Sequence, residues 1–381
     1  MITSRIVAGV GALSEAEWSA CYPDEVEGWA YYRACEAKPP AAVKISAVEV
    51  RDEQGLLAAA PLFKLGYRLD TPLQGGLRRL TDALAARAPN LLEWGLLGVG
   101  SPFADRCHIA LRPGLGDEAQ RAVISALADA IEQESKRLGV SLIAFKDIAG
   151  AEHAALAEGL RAKGYGGIDG LPVAALDLNG AKDIDFYLAT LSGATRKDVR
   201  RKLRGARLRV ERRTGIADIA GEIDRLYQHT RTTSALRYGD FEELPDDYFA
   251  AVSGALGERA LFMLYWVDDV IAGFNLLLLE RDRAIDKFFG MTHPLGREHN
   301  LYVASWIENV RFCIETGRRW LQSGQTAYDS KVRLGSALKP SWNLVKHRNR
   351  IVNGAIALAA PYAGFPRWDP DLRRLKAAGK I

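Results

Sequence analysis

Tyr328 and Lys331 stand three residues apart, a spacing that puts a phenol and an ammonium on one side of a helical turn. A phenol can protonate a leaving thiolate, and an ammonium can neutralise a developing oxyanion or a carboxylate. A core Tyr beside a snorkelling Lys would leave the same trace. Asp286 and Lys287 interrupt the strand-like run AIDKFFG just before two aromatics and a glycine. In a pocket, Asp286 would bind an ammonium group or act as a base, with Lys287 facing the acceptor; on a half-exposed strand the pair would simply alternate outward. Glu308 interrupts an otherwise apolar helix beside Trp306, and Gln322, Gln325 and Arg333 fall close by in sequence. Lys287, Trp306, Glu308, Gln322, Gln325 and Arg333 form the predicted lining of an acceptor site. His229 and His347 are isolated, which reads as structural or exposed.

The second chemical feature is a charge run. Between Thr195 and Arg213, ten of nineteen residues are Lys or Arg and two are acidic, in a chain whose net charge is only +4. Val199, Leu203, Ala206 and Val210 are spaced by four, three and four, so the stretch Arg196 to Arg213 is predicted to be an amphipathic helix with an apolar stripe and a fan of cations. Most charge runs are solvated faces. A packed helix, however, offers Arg196, Lys197, Arg200, Arg201 and Arg204 to phosphates in fixed geometry. Arg297, shortly before the predicted N-cap Asn300, is a second phosphate candidate.

At 381 residues the chain is long enough for two domains, each with its own core, and 48% hydrophobic with 26% charged residues is a soluble globular balance. Cys21, Cys35, Cys107 and Cys313 show neither metal-ligand nor disulfide spacing. With no run of about 18 apolar residues and no signal-peptide pattern, a cytoplasmic protein without an integral membrane segment is expected. The stretch Ile351 to Phe365 is apolar but short and broken by Asn353, Gly354 and Pro361. Strands are predicted at Ala42–Val50 and Leu56–Phe63 around a turn, at Leu92–Val99, Ser141–Phe145 and Pro172–Leu178, with helices at Asp117–Leu138 and Glu152–Lys163. The second half repeats this plan. Helices at Ile184–Leu191, Ile219–Ser234 and Asp246–Leu256 precede an antiparallel meander, Ala260–Val267, Val270–Glu280 and Ala284–Phe289; a helix at Leu301–Thr316 and a strand at Arg319–Gln322 follow. This is an α+β (mixed α/β) fold, and the expected domains are residues 1–180 and 181–381.

From about Asp183 to Arg348 the chain resembles the FemAB-like and CelD-like branch of the GNAT acyltransferase superfamily. FYLATLSGATRKDVRRKLRGARLRVERR resembles the family's opening short helix, Arg/Lys-rich helix and strand. WVDDVIAGFNLLLLERDRAIDKFFG resembles its central sheet, and IETG, RRWLQSG and the Tyr328, Lys331, Leu334, Gly335 spacing resemble its closing motif. The resemblance implies tandem GNAT-like domains, each a mostly antiparallel mixed sheet flanked by helices, the N-terminal one degenerate. It also implies transfer of an acyl or aminoacyl group to an amine. One departure stands out: where the family places Arg/Gln-x-x-Gly-x-Gly/Ala before a helix, this chain reads HPLGREHNLY, with Gly296 alone.

No GxSxG elbow or Cys/His pair is present, which agrees with direct transfer and no covalent intermediate. The leading expectation is an N-acyltransferase using acyl-CoA or an acyl carrier protein as donor and a small-molecule amine as acceptor, with no tightly bound cofactor and no metal. Two alternatives stand beside it. An aminoacyl-tRNA-dependent transferase of the FemABX type would use the basic run for tRNA, and a non-catalytic nucleic-acid or acidic-surface binder would use it alone, although the run lacks interleaved aromatics for stacking bases.

Overall fold

A computed structural model describes residues 1–68, 81–82, 87, 93–149, 154–238 and 243–381. Its contacts divide the chain into two units that exchange segments: Met1–Pro23, Pro39–Pro172 and Lys339–Ile381 form the first, Asp24–Lys38 and Val173–Leu338 the second. The sequence reading placed 339–381 with the second half and 24–38 with the first.

In the first unit the sheet runs β1 (Thr3–Val7), β2 (Lys44–Asp52), β3 (Gly55–Arg68), β4 (Glu93–Val99), β6 (Leu142–Ala149), β15 (Ser341–His347), β7 (Gly166–Asp169), with β5 (Ala110–Leu111) on β3. Gly55 closes the β2–β3 hairpin at φ 122°, a conformation costly for any residue with a Cβ. Strands β4 and β6 are parallel, connected through helix α3 (Asp117–Arg137), whose Val123, Ile124, Leu127, Ala128 and Ile131 bury one stripe in the core. Helices α1 (Glu15–Cys21) and α4 (Ala154–Ala162) belong here too, as do α12 (Arg350–Ala363), α13 (Phe365–Trp368) and α14 (Pro370–Ala377). No expectation covered α1, β1 or the helix α2 (Trp29–Glu36). Each is short, and its apolar residues set no clear period.

The second unit's sheet runs β14 (Ala337–Lys339), β8 (Val173–Asp177), β13 (Trp320–Ser323), β12 (Arg283–Met291), β11 (Val270–Leu279), β10 (Ala260–Val267), β9 (Arg209–Arg213). Strands β9 to β12 are antiparallel, while β12 and β13 are parallel. One face packs against α5 (Ile184–Thr190), α6 (Gly193–Gly205) and α10 (Leu301–Glu315) through Tyr187, Val199, Trp306, Ile307 and Val310. The other carries edge-to-face rings, Phe249 among Tyr227, Tyr248, Phe274 and Phe288, contributed by α7 (Ala220–Tyr238), α8 (Tyr248–Leu256) and the sheet. Two short helices, α9 (Leu295–Glu298) and α11 (Tyr328–Arg333), complete the unit.

The basic run is not one helix. Ser192 caps α6 by accepting from the Thr195 amide, the helix ends at Gly205, and Arg209–Arg213 then pairs as an edge strand with Phe262–Trp266. Val210 serves either period, and the open edge of β10 decides for the strand. Residue 273 shows how close the site's scaffold is packed: a Cβ on Gly273 would lie 2.6 Å from the Gly290 carbonyl oxygen and 2.5 Å from Leu301 Cδ2. Gly273→Ala is therefore expected to destabilise the second unit by about 1–3 kcal/mol. The check is the midpoint of urea unfolding of the full chain, and an unchanged midpoint would mean that β11 and α10 separate without cost.

Candidate active site

Parallel pairing between β12 and β13 covers only four positions, from Arg283 opposite Trp320 to Asp286 opposite Ser323. Strand β13 then ends, whereas β12 continues to Met291 on its β11 side. The two strands therefore diverge at Asp286. From Lys287 to Met291 the far edge of β12 has no strand partner among the described residues. A β-bulge falls at the same point: Leu277 faces Asp286 and Leu276 faces Phe288, so Lys287 is the extra residue. Asp286 consequently points to the α10 face, while Lys287 and Phe288 both reach the opposite one.

Asp286 sits at the end of a polar chain laid through apolar surroundings. Tyr265 donates to Asn275 Oδ1 at 3.0 Å, and Asn275 Nδ2 donates to Asp286 Oδ1 at 2.8 Å. Asn309, fully buried on α10, faces the same carboxyl, and Lys331 supplies the nearest positive charge. Burial pushes the Asp286 carboxyl up to about 6, with Lys331, Asn275 and Asn309 pulling the other way. Lys331 itself donates to the Gly324 carbonyl just beyond β13. Ser323 Oγ, across the pairing from Asp286, is buried without a hydrogen-bond partner among the described residues.

On the other face the bulge residue is pinned. Lys287 Nζ lies 2.7 Å from Glu27 Oε1, both side chains almost wholly buried, with the Tyr31 ring beside them. Tyr31 in turn shares a 2.9 Å hydroxyl–hydroxyl hydrogen bond with Tyr248. Gln322 accepts from Arg283, whose guanidinium also grips Glu280 at 2.7 Å through two nitrogens. Lys287 and Gln322, expected to touch the acceptor, thus hold the sheet instead. Trp306 is corrected as well: its indole N–H donates to Tyr187 Oη at 3.0 Å within the core. Glu308 pairs with Arg311 at 3.4 Å, and burial raises its carboxyl. Tyr328 is fully buried at the start of α11, Gln325 is half-buried before it, and Arg333 is exposed at 3.5 Å from Asp198.

Ion pairing divides the cations of α6. Arg200 is held by Asp185 at 2.9 Å, Arg201 and Lys202 by Asp198 at 2.7 and 2.9 Å, and Arg196 donates to the Ala189 carbonyl. The Lys202 ammonium and the Arg201 guanidinium hold the Asp198 carboxyl below its ordinary value. Lys197, Arg204 and Arg207 are exposed with no protein partner among the described residues. The end of α6 abuts the start of α10, since a Cβ on Gly205 would sit 3.6 Å from Asn300 Nδ2. The chain at Arg204 and Arg207 thus lies against the start of α10, three residues beyond Arg297, which is also exposed and unpaired among the described residues. Asn300 holds the N-cap position at φ 53° without a side-chain cap. The amides from Gly296 to Asn300 all donate to backbone carbonyls as part of the α9 turn, so this turn offers no open nest of N–H groups; an anion there is met by side chains.

Residues 193–332 match the profile described as "Acetyltransferase (GNAT) domain". The second unit carries a GNAT acyltransferase domain. No curated protein matches the chain. Among solved structures, the fold is similar to a tandem GNAT protein from the clavulanic acid biosynthesis pathway at 13% identity and TM-score 0.53, covering 91% of this chain and 99% of that one. It is also similar to the C-terminal domain of a putative lysylphosphatidylglycerol synthetase from Agrobacterium fabrum at 14% and 0.51, covering 90% and 92%. FemX matches at 12% and 0.50, covering 83% and 91%. At these identities the likeness concerns the tandem GNAT fold.

Within the first unit, the helix that links the parallel pair β4 and β6 opens with Asp117 and Glu118, and no basic side chain enters its first turn. Two carboxylates at a helix N-terminus repel a phosphate. The equivalent helix of the GNAT domain, α10, has no acidic residue in its first turn.

Asp286 binds its proton more tightly folded than unfolded, so its share of stability is complete below about pH 4 and is lost as pH rises through about 6. Asp286→Asn is expected to raise the melting temperature above pH 7, by a stabilisation of about 1–3 kcal/mol, and to leave it unchanged near pH 4. Melting curves across that range provide the check, and equal curves at both ends would place the carboxyl in contact with water.

Proposed function

We propose that the GNAT domain transfers an acyl group from an acyl thioester directly to an amine in the opening between β12 and β13, with Asp286 as the base. The observation that carries this reading is the position of a carboxyl raised to about 6 at the point where two parallel strands part. Such a group is charged at neutral pH yet basic enough to take a proton from an attacking amine. The amine nitrogen attacks the thioester carbonyl carbon, the C–S bond breaks, the nitrogen's proton passes to Asp286, and the thiolate leaves to be protonated. Lys331 steadies the ionised carboxylate, and Ser323 Oγ is a free donor beside it for the carbonyl oxygen as it becomes negative. Full burial of Tyr328 fits a part in seating α11, and through it Lys331, better than donation of a proton to the departing sulfur.

Spacing supports a thioester donor. From Asp286 to Met291 the free edge of β12 runs about 15 Å, and Leu301, at the start of α10, lies in the register of Met291. An extended phosphopantetheine arm spans such an interval, pairs its amides with an open strand edge, and places its phosphates near Arg204, Arg207 and Arg297. An aminoacyl ester of tRNA carries its acyl carbon directly on the terminal ribose, so its nearest phosphate lies far closer to the reaction. The second reading, tRNA as donor, draws support from the occupied amides before α10 in place of a glycine loop, and from the likeness to FemX in fold alone.

Thermal shift and product formation with acyl-CoAs or charged tRNA separate the two: stabilisation by coenzyme A with RNase-insensitive product is expected, and RNase-sensitive activity would sink the thioester donor. With the productive donor, kcat/KM should fall about tenfold per unit below pH 6, and Asp286→Asn should lower kcat by about 10²–10⁴ while the chain stays folded. Arg204→Ala combined with Arg297→Ala is expected to raise donor KM about tenfold or more, whereas the ion-paired Arg201→Ala shifts it by less than about threefold. The reverse order would return the site to the first turns of α6.

A further inference from the structure

Helix α12 of the first unit has a composition that its packing does not explain. Its inner side is accounted for: Ile356 joins the cluster around Phe63, Leu96, Leu142 and Val345, Ala360 is buried, and Asn353 bridges the His347 amide and the Gly164 carbonyl. Asn353 is also the only polar residue from Ile351 to Pro361. The outer side therefore bears no polar side chain at all over these turns. Ile351 is 84% exposed, Leu358 80% and Tyr362 63%, spacings of seven and four that set them in one stripe with Ala355 between. A surface helix with protein on one side only is normally polar on the other.

Charge says what covers the stripe. From Lys339 to Trp368 the sequence holds no Asp or Glu and five Lys or Arg. Arg348 and Arg350 are exposed and unpaired among the described residues at one end of the helix. At the other, Arg367 lies over the Tyr362 ring and Trp368 donates to the Tyr362 carbonyl. Asp169, beside Gly364, is an acid at that end. An apolar stripe rimmed by arginines and ending in Tyr and Trp suits the boundary of an anionic bilayer, where the stripe enters the acyl region while guanidiniums meet headgroup phosphates. A second copy of this chain suits it poorly, because either orientation of paired α12 helices brings Arg348 and Arg350 against cations of the same kind. At 14 residues α12 is about 21 Å long and would lie in the surface; no described helix is long and apolar enough to cross a membrane.

We infer that the outer face of α12, through Ile351, Leu358 and Tyr362 with Arg348, Arg350 and Arg367 at its rim, docks the protein peripherally on an anionic lipid surface. Docking of this kind needs nothing from the acyl-transfer reading. Its test is co-sedimentation of the full chain with vesicles of phosphatidylcholine alone and of phosphatidylcholine mixed with phosphatidylglycerol, at low and high salt, with light scattering to give the mass of the free protein. Expected are a monomer, binding to the mixed vesicles only, and weakening by salt. Ile351→Asp with Leu358→Asp should lower partitioning at least about tenfold, and Arg348→Glu with Arg350→Glu by a similar factor, with melting temperatures unchanged. Val270→Asp, at an exposed apolar residue of the second unit, should bind as the parent does. Equal binding by the α12 variants, or no binding to mixed vesicles, overturns the inference. A dimer that Ile351→Asp with Leu358→Asp dissociates also overturns it and assigns the face to self-association.

Discussion

One extra residue in β12 governs the second unit. Because Lys287 is bulged out of register, Asp286 turns toward α10 and two consecutive residues turn the other way, where a buried ion pair with Glu27 holds the distortion. A buried pair of this kind contributes little net stability, since desolvation offsets the attraction, but loss of one partner strands a charge in the interior. What it supplies is a single geometry. The direction of the carboxyl, the end of pairing with β13 and the open edge beyond it all follow from that register shift.

The elements were largely readable in the sequence where periodicity was clean. The meander from Ala260, the helix from Leu301 and the strand before Ser323 fall within a few residues of their expected bounds. The site was less readable. Asp286 and Lys331 were each singled out, but no spacing in the sequence showed that one faces the other, and Lys287, next to Asp286, serves the opposite face because bulges leave no periodic trace. Asn275, Asn309 and Ser323 were missed. Asn275 is a single polar residue inside an apolar strand, and that incongruity was the signal available; Asn309 beside Glu308 and Ser323 beside Gln322 had none so clear. Glu27 had none: a contact spanning some 260 residues of chain is invisible to local pattern.

Charge density misled in one respect and informed in another. Ten cations in nineteen residues suggested a broad phosphate platform, but Asp185 and Asp198 neutralise much of α6. Among the described residues, Lys197 near its start and Arg204 and Arg207 at and just beyond its end keep their charge unpaired. Meanwhile the stretch from Lys339 to Trp368, whose charge is modest, gains significance from having no Asp or Glu to balance it.

The exchange of segments between the two units also bears on how the chain is made. Residues 24–38 leave the ribosome early, but Glu27 cannot meet Lys287 until that strand has been synthesised, and the first unit's sheet lacks β15 until residue 347 has emerged. For most of synthesis both sheets are incomplete, with long-range contacts paid for late. A cut near residue 180 would therefore not yield two domains. It would leave one fragment without the strand between β6 and β7, and another without the carboxylate that pins its bulge.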